Sequence, residues 1–287
     1  MIGLVTYAAF PDLTDDDRPL LAALEALGIE ARPILWDDPE VRWTDFSALV
    51  LRSCWDYHLR AGEFRKWLSL LERMNVPLWN PVPLVRWNMH KFYLRDLAAE
   101  GLLIPATHWA DQSGGTTLSA IMREHKWTQA IVKPAISASA TDTWRTTSKA
   151  RADGVRFAEL VERSDVLVQE VVPEIATEGG GEWSLMFIGG AFSHSTIKRP
   201  SAGDFRVQTE FGGSAEPRPA PPEIIGAGER MAGHIPTPWL FARIDGVMTG
   251  RGFMLMEIEC IEPLMFFDHA PGSHGRFAGA LAACLDT

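Results

Sequence analysis

Two glutamates alternate with apolar residues in the segment Met256–Cys260, which reads M-E-I-E-C. Successive side chains of a β-strand point to opposite faces, so Glu257 and Glu259 share one face. If residues 242–245 form the partner strand, Arg243 and Asp245 also share a face, and we expect it to be the same one. Clustered carboxylates repel one another unless a cation joins them, and oxygen ligands suit Mg²⁺ or Mn²⁺. The pattern predicts a metal site, with a solvated strand face as the alternative.

A lysine, Lys133, ends an apolar run and precedes Pro134 and a loop of small residues that contains Ser139. An ammonium at a strand end, followed by the backbone N–H groups of small residues, can surround a polyphosphate. Lys133 and Ser139 are therefore candidate nucleotide contacts. The alternative for Lys133 is an exposed lysine at a strand end. The sequence contains neither a Walker motif nor a dinucleotide-binding glycine motif.

An apolar run that breaks at Pro173 is a candidate for adenine recognition, because extended backbone at such a break offers N–H and C=O groups. The candidates are Gln169, Glu170 and Val172. Glu182, further along the chain, can accept hydrogen bonds from ribose hydroxyls.

A basic segment starts at Lys198 and continues through Arg206 to the glycine pair that ends at Gly213. Arginine binds phosphate and carboxylate groups with two parallel hydrogen bonds, so this segment is a candidate for anion recognition. The alternative is a basic loop that offsets the acidity of the rest of the chain.

Polar side chains that could recognise a substrate follow the apolar run at residues 48–52. Arg52 could hold a carboxylate, Asp56 an ammonium, and Tyr57 lies beside them in the sequence. Open parallel sheets bind ligands at the carboxyl ends of their strands, which is where these residues fall. Further candidates, near the end of the first strand, are Thr6, Asp15 and Asp16. The alternative is a structural Arg-Asp pair.

Strands alternate with helical patterns over the first eighty residues, which indicates a parallel sheet with crossover helices, an α/β arrangement. The acidic run at residues 14–17 offers N-cap candidates for a helix that ends at Gly28. After residue 172 the pattern becomes antiparallel, an α+β arrangement, because two apolar strands flank Gly189 and Gly190 as in a hairpin. We predict domains at residues 1–87, 88–167 and 168–287.

The chain has 287 residues, 27 Lys and Arg against 37 Asp and Glu, and a net charge of −10. An acidic chain is a poor candidate for binding nucleic acid, which attracts clustered cations. No apolar run is long enough to cross a membrane and no signal peptide is evident, so we expect a cytoplasmic protein. The abundance of Trp and Met is compatible with a homodimer interface.

Taken together and in their order along the chain, the motifs resemble those of the ATP-grasp ligases of the glutathione synthetase type, over nearly the full length of the chain. The resemblance implies an ATP-grasp fold: a parallel-sheet N-terminal domain, a small lid domain and an antiparallel C-terminal domain. It also implies ATP and Mg²⁺ as cofactors and a small, amino-acid-like substrate. The resemblance implies that Lys91 and Lys133 contact phosphate, that residues 169–172 form the adenine hinge and that Glu182 binds ribose. It also implies a catalytic segment with Lys198, Arg206 and Gly213. The implied metal ligands are Asp245, Glu257 and Glu259.

Two positions depart from the family pattern. Glu259 stands where many members have Asn, and the lid loop, which is glycine-rich in the family, contains Ser139 and Ala140 instead. Three segments resemble the subgroup that contains the O-ureido-D-serine cyclo-ligase of D-cycloserine biosynthesis: residues 52–58, 203–208 and 261–263.

That subgroup implies activation of a carboxylate as an acylphosphate, followed by attack of the substrate's own ureido nitrogen, which closes an isoxazolidinone ring. One alternative is an intermolecular ligase that joins two amino acids. Another is a nucleotide-binding protein or kinase-like phosphotransferase without ligase activity.

Overall fold

The N-terminal part of the chain is a four-stranded parallel sheet in the computed structural model, which describes residues 1–112 and 114–285. The strands are β1 (Ile2–Thr6), β2 (Ala31–Leu35), β3 (Ala48–Leu51) and β4 (Leu78–Trp79), in the order β2-β1-β3-β4. The helices are α1 (Leu20–Glu25) and α2 (Ala61–Met74). Every residue of β1 and β3 is buried, as expected for strands that are covered on both faces. The predicted parallel sheet is confirmed.

Helix α1 is shorter than the sequence pattern predicts. It begins after Pro19, no side chain caps its first turn, and it ends before Gly28. Asp17, one of the expected caps, is buried and bonded to a neighbouring strand end instead. The run therefore does not cap α1 itself: a tertiary partner takes the Asp17 carboxylate, while Thr14 Oγ1 accepts a hydrogen bond of 3.2 Å from the Asp17 N–H in the turn before the helix.

Two short helices, α3 (Val82–Asn88) and α4 (Tyr93–Ala99), lead to a central sheet. This sheet is antiparallel, has the order β5-β8-β6-β7, and carries two helices. Its elements are β5 (Thr107–Ala110), α5 (Leu118–Glu124), β6 (Gln129–Pro134), β7 (Trp144–Thr147), α6 (Arg151–Arg163) and β8 (Val166–Glu170). The predicted boundary at residue 167 falls inside β8, so we propose that the central domain extends to Glu170.

The C-terminal sheet has five antiparallel strands in the order β11-β10-β9-β12-β13. Its elements are β9 (Glu182–Ile188), β10 (Ala191–Arg199), β11 (Ser214–Pro217), α7 (Pro222–Ala232), β12 (Phe241–Thr249), β13 (Gly252–Glu259) and α8 (Ser273–Leu285). Gly189 and Gly190 both adopt positive φ at the β9–β10 turn, a conformation that suits glycine. Short 3₁₀ helices occupy 43–45, 173–176, 209–211 and 267–269.

The N-terminal and C-terminal sheets share one hydrophobic core. Ile2 and Leu4 of β1 belong to the same buried cluster as Met186 and Phe241. The buried Asn80 side chain adds polar contacts across this junction: its Nδ2 donates to the carbonyl oxygens of Phe241 and Cys260, both at 2.8 Å. In the described part of the chain, no helix is long and apolar enough to span a membrane.

Candidate active site

Four charged residues share one face of the β12–β13 pair. Asp245 is the register partner of Glu257, and Arg243 is the partner of Glu259. The alternation that predicted this face is confirmed. A β-bulge follows Asp245, and bulges change the direction of nearby side chains.

Cations of the chain compensate this carboxylate cluster. Lys198 on β10 lies 2.9 Å from Asp245 Oδ2 and 2.6 Å from Glu182 Oε1, so one ammonium joins two carboxylates. Arg243 donates to Asp245 through Nε and Nη2 and also pairs with Glu259. Asp245 accepts a further hydrogen bond of 2.6 Å from the Ser184 hydroxyl. Both oxygens of Asp245 are thus engaged by protein donors.

The segment between α3 and α4 brings Lys91 to the same cluster. Its ammonium lies 2.7 Å from Glu257 Oε1 and donates to the carbonyl oxygen of Ser137 at 2.7 Å. Residues on either side fix this segment to β13, because Asn88 Nδ2 donates to Ile258 O at 2.7 Å and the Tyr93 hydroxyl donates to the same oxygen at 2.8 Å.

Burial and mutual charge give these carboxylates different affinities for protons. Burial raises the pKa of Glu259 to about 7, with Asp245 and Glu257 adding to the rise and Arg243 opposing it. For Glu257 burial acts in the same sense, but the ammonium groups of Lys91 and Lys133 outweigh it and lower the pKa. The cations Arg243 and Lys198 likewise hold the pKa of Asp245 well below its usual range against the effect of burial. The cluster is therefore a strongly coupled set of charges.

Lys133 is the penultimate residue of β6 and lies close enough to Glu257 to interact with its charge. Burial lowers its pKa to about 8, with Glu257 opposing and Lys91 reinforcing the shift. The loop that follows adopts left-handed φ at Ser139, Ala140 and Asp142, a conformation that costs a non-glycine residue roughly 1–2 kcal/mol. The loop thus has a backbone suited to glycine without containing one.

A cavity of about 500 Å³ opens where the central and C-terminal sheets meet. Thirteen of the sequence-predicted site residues line it: Tyr57, Lys91, Lys133, Ser139, Gln169, Glu170, Val172, Glu182, Lys198, Arg206, Asp245, Glu257 and Glu259. The structure therefore brings together the candidate phosphate, adenine, ribose and metal residues in one place.

The candidate adenine hinge presents mainly backbone to the cavity. The Gln169 side chain donates to Thr107 Oγ1 at 2.9 Å. The Glu170 carboxylate pairs with Arg251 at 2.6 Å and accepts from the Ala106 N–H at 3.0 Å. Both side chains are thus occupied, which leaves the extended backbone up to Val172 as the group that can bind a base.

Arg206 lines the cavity from the loop between β10 and β11. Its guanidinium pairs with Asp204 at 2.8 Å and stacks 3.6 Å from the centroid of Phe211. Gly213 does not line the cavity. A Cβ there would lie 2.2 Å from Val207 O, so Gly213 permits the close packing of the loop that carries Arg206.

The predicted substrate residues of the N-terminal domain are mostly outside the cavity, and Arg52 is the main correction. It is fully buried, its Nε donates to Asp17 Oδ1 at 2.9 Å, and its Nη2 donates to Pro263 O at 3.1 Å. Its guanidinium also faces three phenylalanine rings at 5.1–5.7 Å. The geometry is that of a structural ion pair, with Asp17 in place of the expected Asp56.

The remaining N-terminal candidates have local partners. The buried Thr6 hydroxyl donates to Phe10 O, and the exposed Asp15 pairs with Arg18. Asp56 accepts a hydrogen bond from Trp36, and the backbone of Asp268 donates to Asp16. Of the substrate candidates, only Tyr57 lines the cavity.

Two further residues, Trp55 and Glu262, line the cavity near Tyr57 and are not among those predicted from the sequence. Trp55 donates from its indole N–H to the backbone carbonyl of Glu262 at 2.9 Å. The Glu262 side chain is buried, and among the described residues none donates a hydrogen bond to its carboxylate. Burial and the charge of Glu259 raise its pKa well above the usual range. The sequence signal for Glu262 is the segment Ile261–Pro263, which is part of the subgroup resemblance and carries no predicted role.

Comparison with known proteins identifies the family. The family model described as D-cycloserine synthetase DcsG, N-terminal domain, matches residues 2–80. The cycloserine biosynthesis protein DcsG of Streptomyces lavendulae is 30% identical over 306 residues, covering 99% of both chains. The chain belongs to the DcsG family.

Solved structures agree with this assignment. The DcsG crystal structure superimposes with a TM-score of 0.86 at 29% identity and 99% coverage of both chains. The RimK domain ATP-grasp protein of Sphaerobacter thermophilus DSM 20745 has a TM-score of 0.71 at 17% identity, with 98% of each chain covered. An ATP complex of the D-alanine–D-alanine ligase from Bacillus anthracis has a TM-score of 0.69 at 15% identity, with 100% of this chain and 96% of that chain covered. The chain therefore shares its fold with DcsG, with an ATP-grasp protein and with a D-alanine–D-alanine ligase, and the predicted ATP-grasp fold is confirmed.

Proposed function

We propose that the chain is an ATP- and Mg²⁺-dependent ligase that activates a substrate carboxylate as an acylphosphate and then forms a C–N bond. The observation that carries this proposal is the single cavity where Lys91 and Lys133 meet the carboxylates of β12 and β13, with the hinge backbone at its other side. Membership of the DcsG family supports O-ureido-D-serine as the substrate and D-cycloserine as the product.

The reaction needs charge compensation more than it needs a nucleophilic side chain. A substrate carboxylate oxygen forms a bond to the γ-phosphorus while the bond to the β–γ bridging oxygen breaks and ADP leaves. A substrate nitrogen then attacks the acyl carbon, phosphate departs, and the nitrogen loses a proton. Lys91, Lys133 and Arg206 line the cavity and would offset the negative charge that spreads over the phosphoryl oxygens.

The donor set of the carboxylate cluster fits Mg²⁺. Glu257 and Glu259 retain 29% and 28% side-chain exposure and line the cavity, whereas Asp245 is 4% exposed and bonded to the protein through both oxygens. The two glutamates are therefore the accessible ligands, with Asp245 behind them. Mg²⁺, when bound, would neutralise phosphate oxygens of ATP.

The amino-acid end of the substrate fits the part of the cavity that Trp55, Tyr57 and Glu262 form. Because protein donors leave the Glu262 carboxylate unsatisfied, we propose that it binds the α-ammonium of the substrate. The ammonium would also favour the ionised form of this carboxyl group, whose pKa is raised by burial and by Glu259 in the chain itself. Lys198, which joins Asp245 to Glu182, is a positioning residue in this scheme.

One experiment separates the candidate reactions. The purified chain would be incubated with ATP, Mg²⁺ and O-ureido-D-serine, and ADP and products would be followed by mass spectrometry. We expect ADP release together with D-cycloserine. An amide product formed only from a pair of amino acids would favour the intermolecular ligase, and a stable phosphorylated substrate would favour the kinase-like activity.

Cellular location and assembly also belong to the proposal. An enzyme that consumes ATP needs the cytoplasmic pool, so we propose a cytoplasmic location. A homodimer remains a prediction, which light scattering of the purified chain tests directly.

A further inference from the structure

Two histidines and a glutamate meet on the central domain. His108 lies on β5, Glu124 is the last residue of α5, and His125 follows it. His108 Nδ1 is 3.3 Å from His125 Nε2. One ligand atom from each of the three side chains lies within 4.8 Å of the other two. None of the three lines the active-site cavity, so the proposed ligase does not account for them.

The separation of the two nitrogens matches a shared metal ion. With Zn–N bonds of about 2.0–2.1 Å and tetrahedral angles, two ligand nitrogens lie about 3.3–3.4 Å apart. A hydrogen bond between the two imidazoles is the alternative explanation of that distance. Two imidazoles and one carboxylate form a ligand set that zinc uses in proteins, with a fourth position for water.

We propose that His108, Glu124 and His125 form a binding site for a divalent transition metal, with Zn²⁺ as the best match. Imidazole nitrogens favour zinc and its neighbours over Mg²⁺, which prefers oxygen ligands. The site is therefore chemically distinct from the carboxylate cluster of β12 and β13.

The surrounding structure holds the two imidazoles in place. His125 stacks on Trp127, with ring centroids 4.2 Å apart and an interplanar angle of 15°. Trp127 in turn packs against the core of the central domain. His108 is fixed by the pairing of β5 with β8, where it is the register partner of Val168. A bound metal would tie strand β5 to the carboxyl end of α5, and it would raise the thermal stability of the domain by mass action.

Isothermal titration of the EDTA-treated full-length chain with Zn²⁺, in buffer with excess Mg²⁺, tests the proposal. The wild type should bind one zinc equivalent that His108→Ala and His125→Ala each fail to bind, or bind at least about 100-fold more weakly. Residues that only orient metal ligands already contribute about 10–100-fold to metal affinity, so the loss of a ligand itself should cost at least as much. Glu124 is exposed, so Glu124→Gln removes a ligand without disturbing the core. His234→Ala is the control, because His234 is paired only with Glu100 in the described chain, and its zinc binding should be unchanged.

Trp127 provides a second, local measurement. Ni²⁺ bound at His125 should quench Trp127 fluorescence, and the quenching should disappear in Trp127→Phe and in Glu124→Gln. Zinc binding of equal stoichiometry and affinity in the wild type and in all three ligand variants would overturn the proposal. So would a wild type that binds no zinc. In either case the two histidines are only a hydrogen-bonded pair.

Discussion

The ammonium of Lys91 lies 2.7 Å from the carboxylate of Glu257, although the two residues belong to different parts of the chain. Lys91 follows α3, and Glu257 lies near the end of β13. Their contact places a candidate phosphate-binding cation beside a candidate metal ligand. Together with Lys133, the Lys91 ammonium lowers the pKa of Glu257 against the effect of burial.

Replacing Glu257 with Gln should abolish turnover while the fold is retained. The amide keeps the shape of the side chain but provides no negative charge for Mg²⁺, and we expect kcat to fall at least about 100-fold, as for other lost electrostatic contacts. ADP release measures the rate, and circular dichroism measures the fold. Glu216→Gln, at an exposed carboxylate on β11, is the control. Full activity in Glu257→Gln would contradict the metal assignment.

Replacing Arg52 with Ala should act on stability instead of on substrate binding. It leaves the buried Asp17 without its cation, and breaking a buried ion pair typically costs about 3–5 kcal/mol. We expect a clear fall in the free energy of unfolding in denaturant titrations. Asp15→Asn, which breaks only the exposed pair with Arg18, should change it by less than about 1 kcal/mol. If Arg52→Ala unfolds like the wild type and only KM rises, Arg52 belongs to the substrate site after all.

The contrast between Glu257 and Arg52 shows what the sequence can predict. The position of Glu257 on a shared face follows from the two-residue period of a strand, which is a local property. The partner of Arg52 is not local: Asp17 and Asp56 carry the same charge, and only the fold selects Asp17. Glu262 was missed for a similar reason, since no sequence pattern shows that its side chain is buried in the cavity that Trp55 also lines.

Replacing Glu262 with Gln should weaken substrate binding selectively. Loss of one charged hydrogen bond, worth about 1.5–3 kcal/mol, should raise KM for the amino-acid substrate roughly 10–100-fold and leave KM for ATP nearly unchanged. Steady-state kinetics with each substrate varied in turn measures both constants. Glu178→Gln, at an exposed glutamate in the loop before β9, is the control. An equal change in both KM values would exclude a role limited to the ammonium.

ATP binding should weaken above about pH 8. The pKa of Lys133 is lowered from 10.5 to about 8, so the free chain holds the charged lysine below pH 8 and loses the charge above it. Because ATP favours the charged lysine, its affinity should fall by up to about tenfold per pH unit above pH 8, a change separate from the titration of Glu259, whose pKa burial raises to about 7. Lys133→Arg stays charged and should remove this pH dependence. Titrations with ATP between pH 6.5 and 9.5 compare the two proteins, and identical profiles would rule out Lys133 as the titrating group.

The core that joins the N-terminal and C-terminal sheets limits how the protein can be divided. Ile2 and Leu4 are covered in part by residues of the C-terminal sheet, and Asn80 is bonded to that sheet as well. A fragment of residues 1–80 would therefore expose an apolar face and tend to aggregate, although a family model treats this region as a unit. In chimeras between relatives, the N-terminal and C-terminal sheets should therefore be exchanged together, whereas the central domain can be exchanged alone.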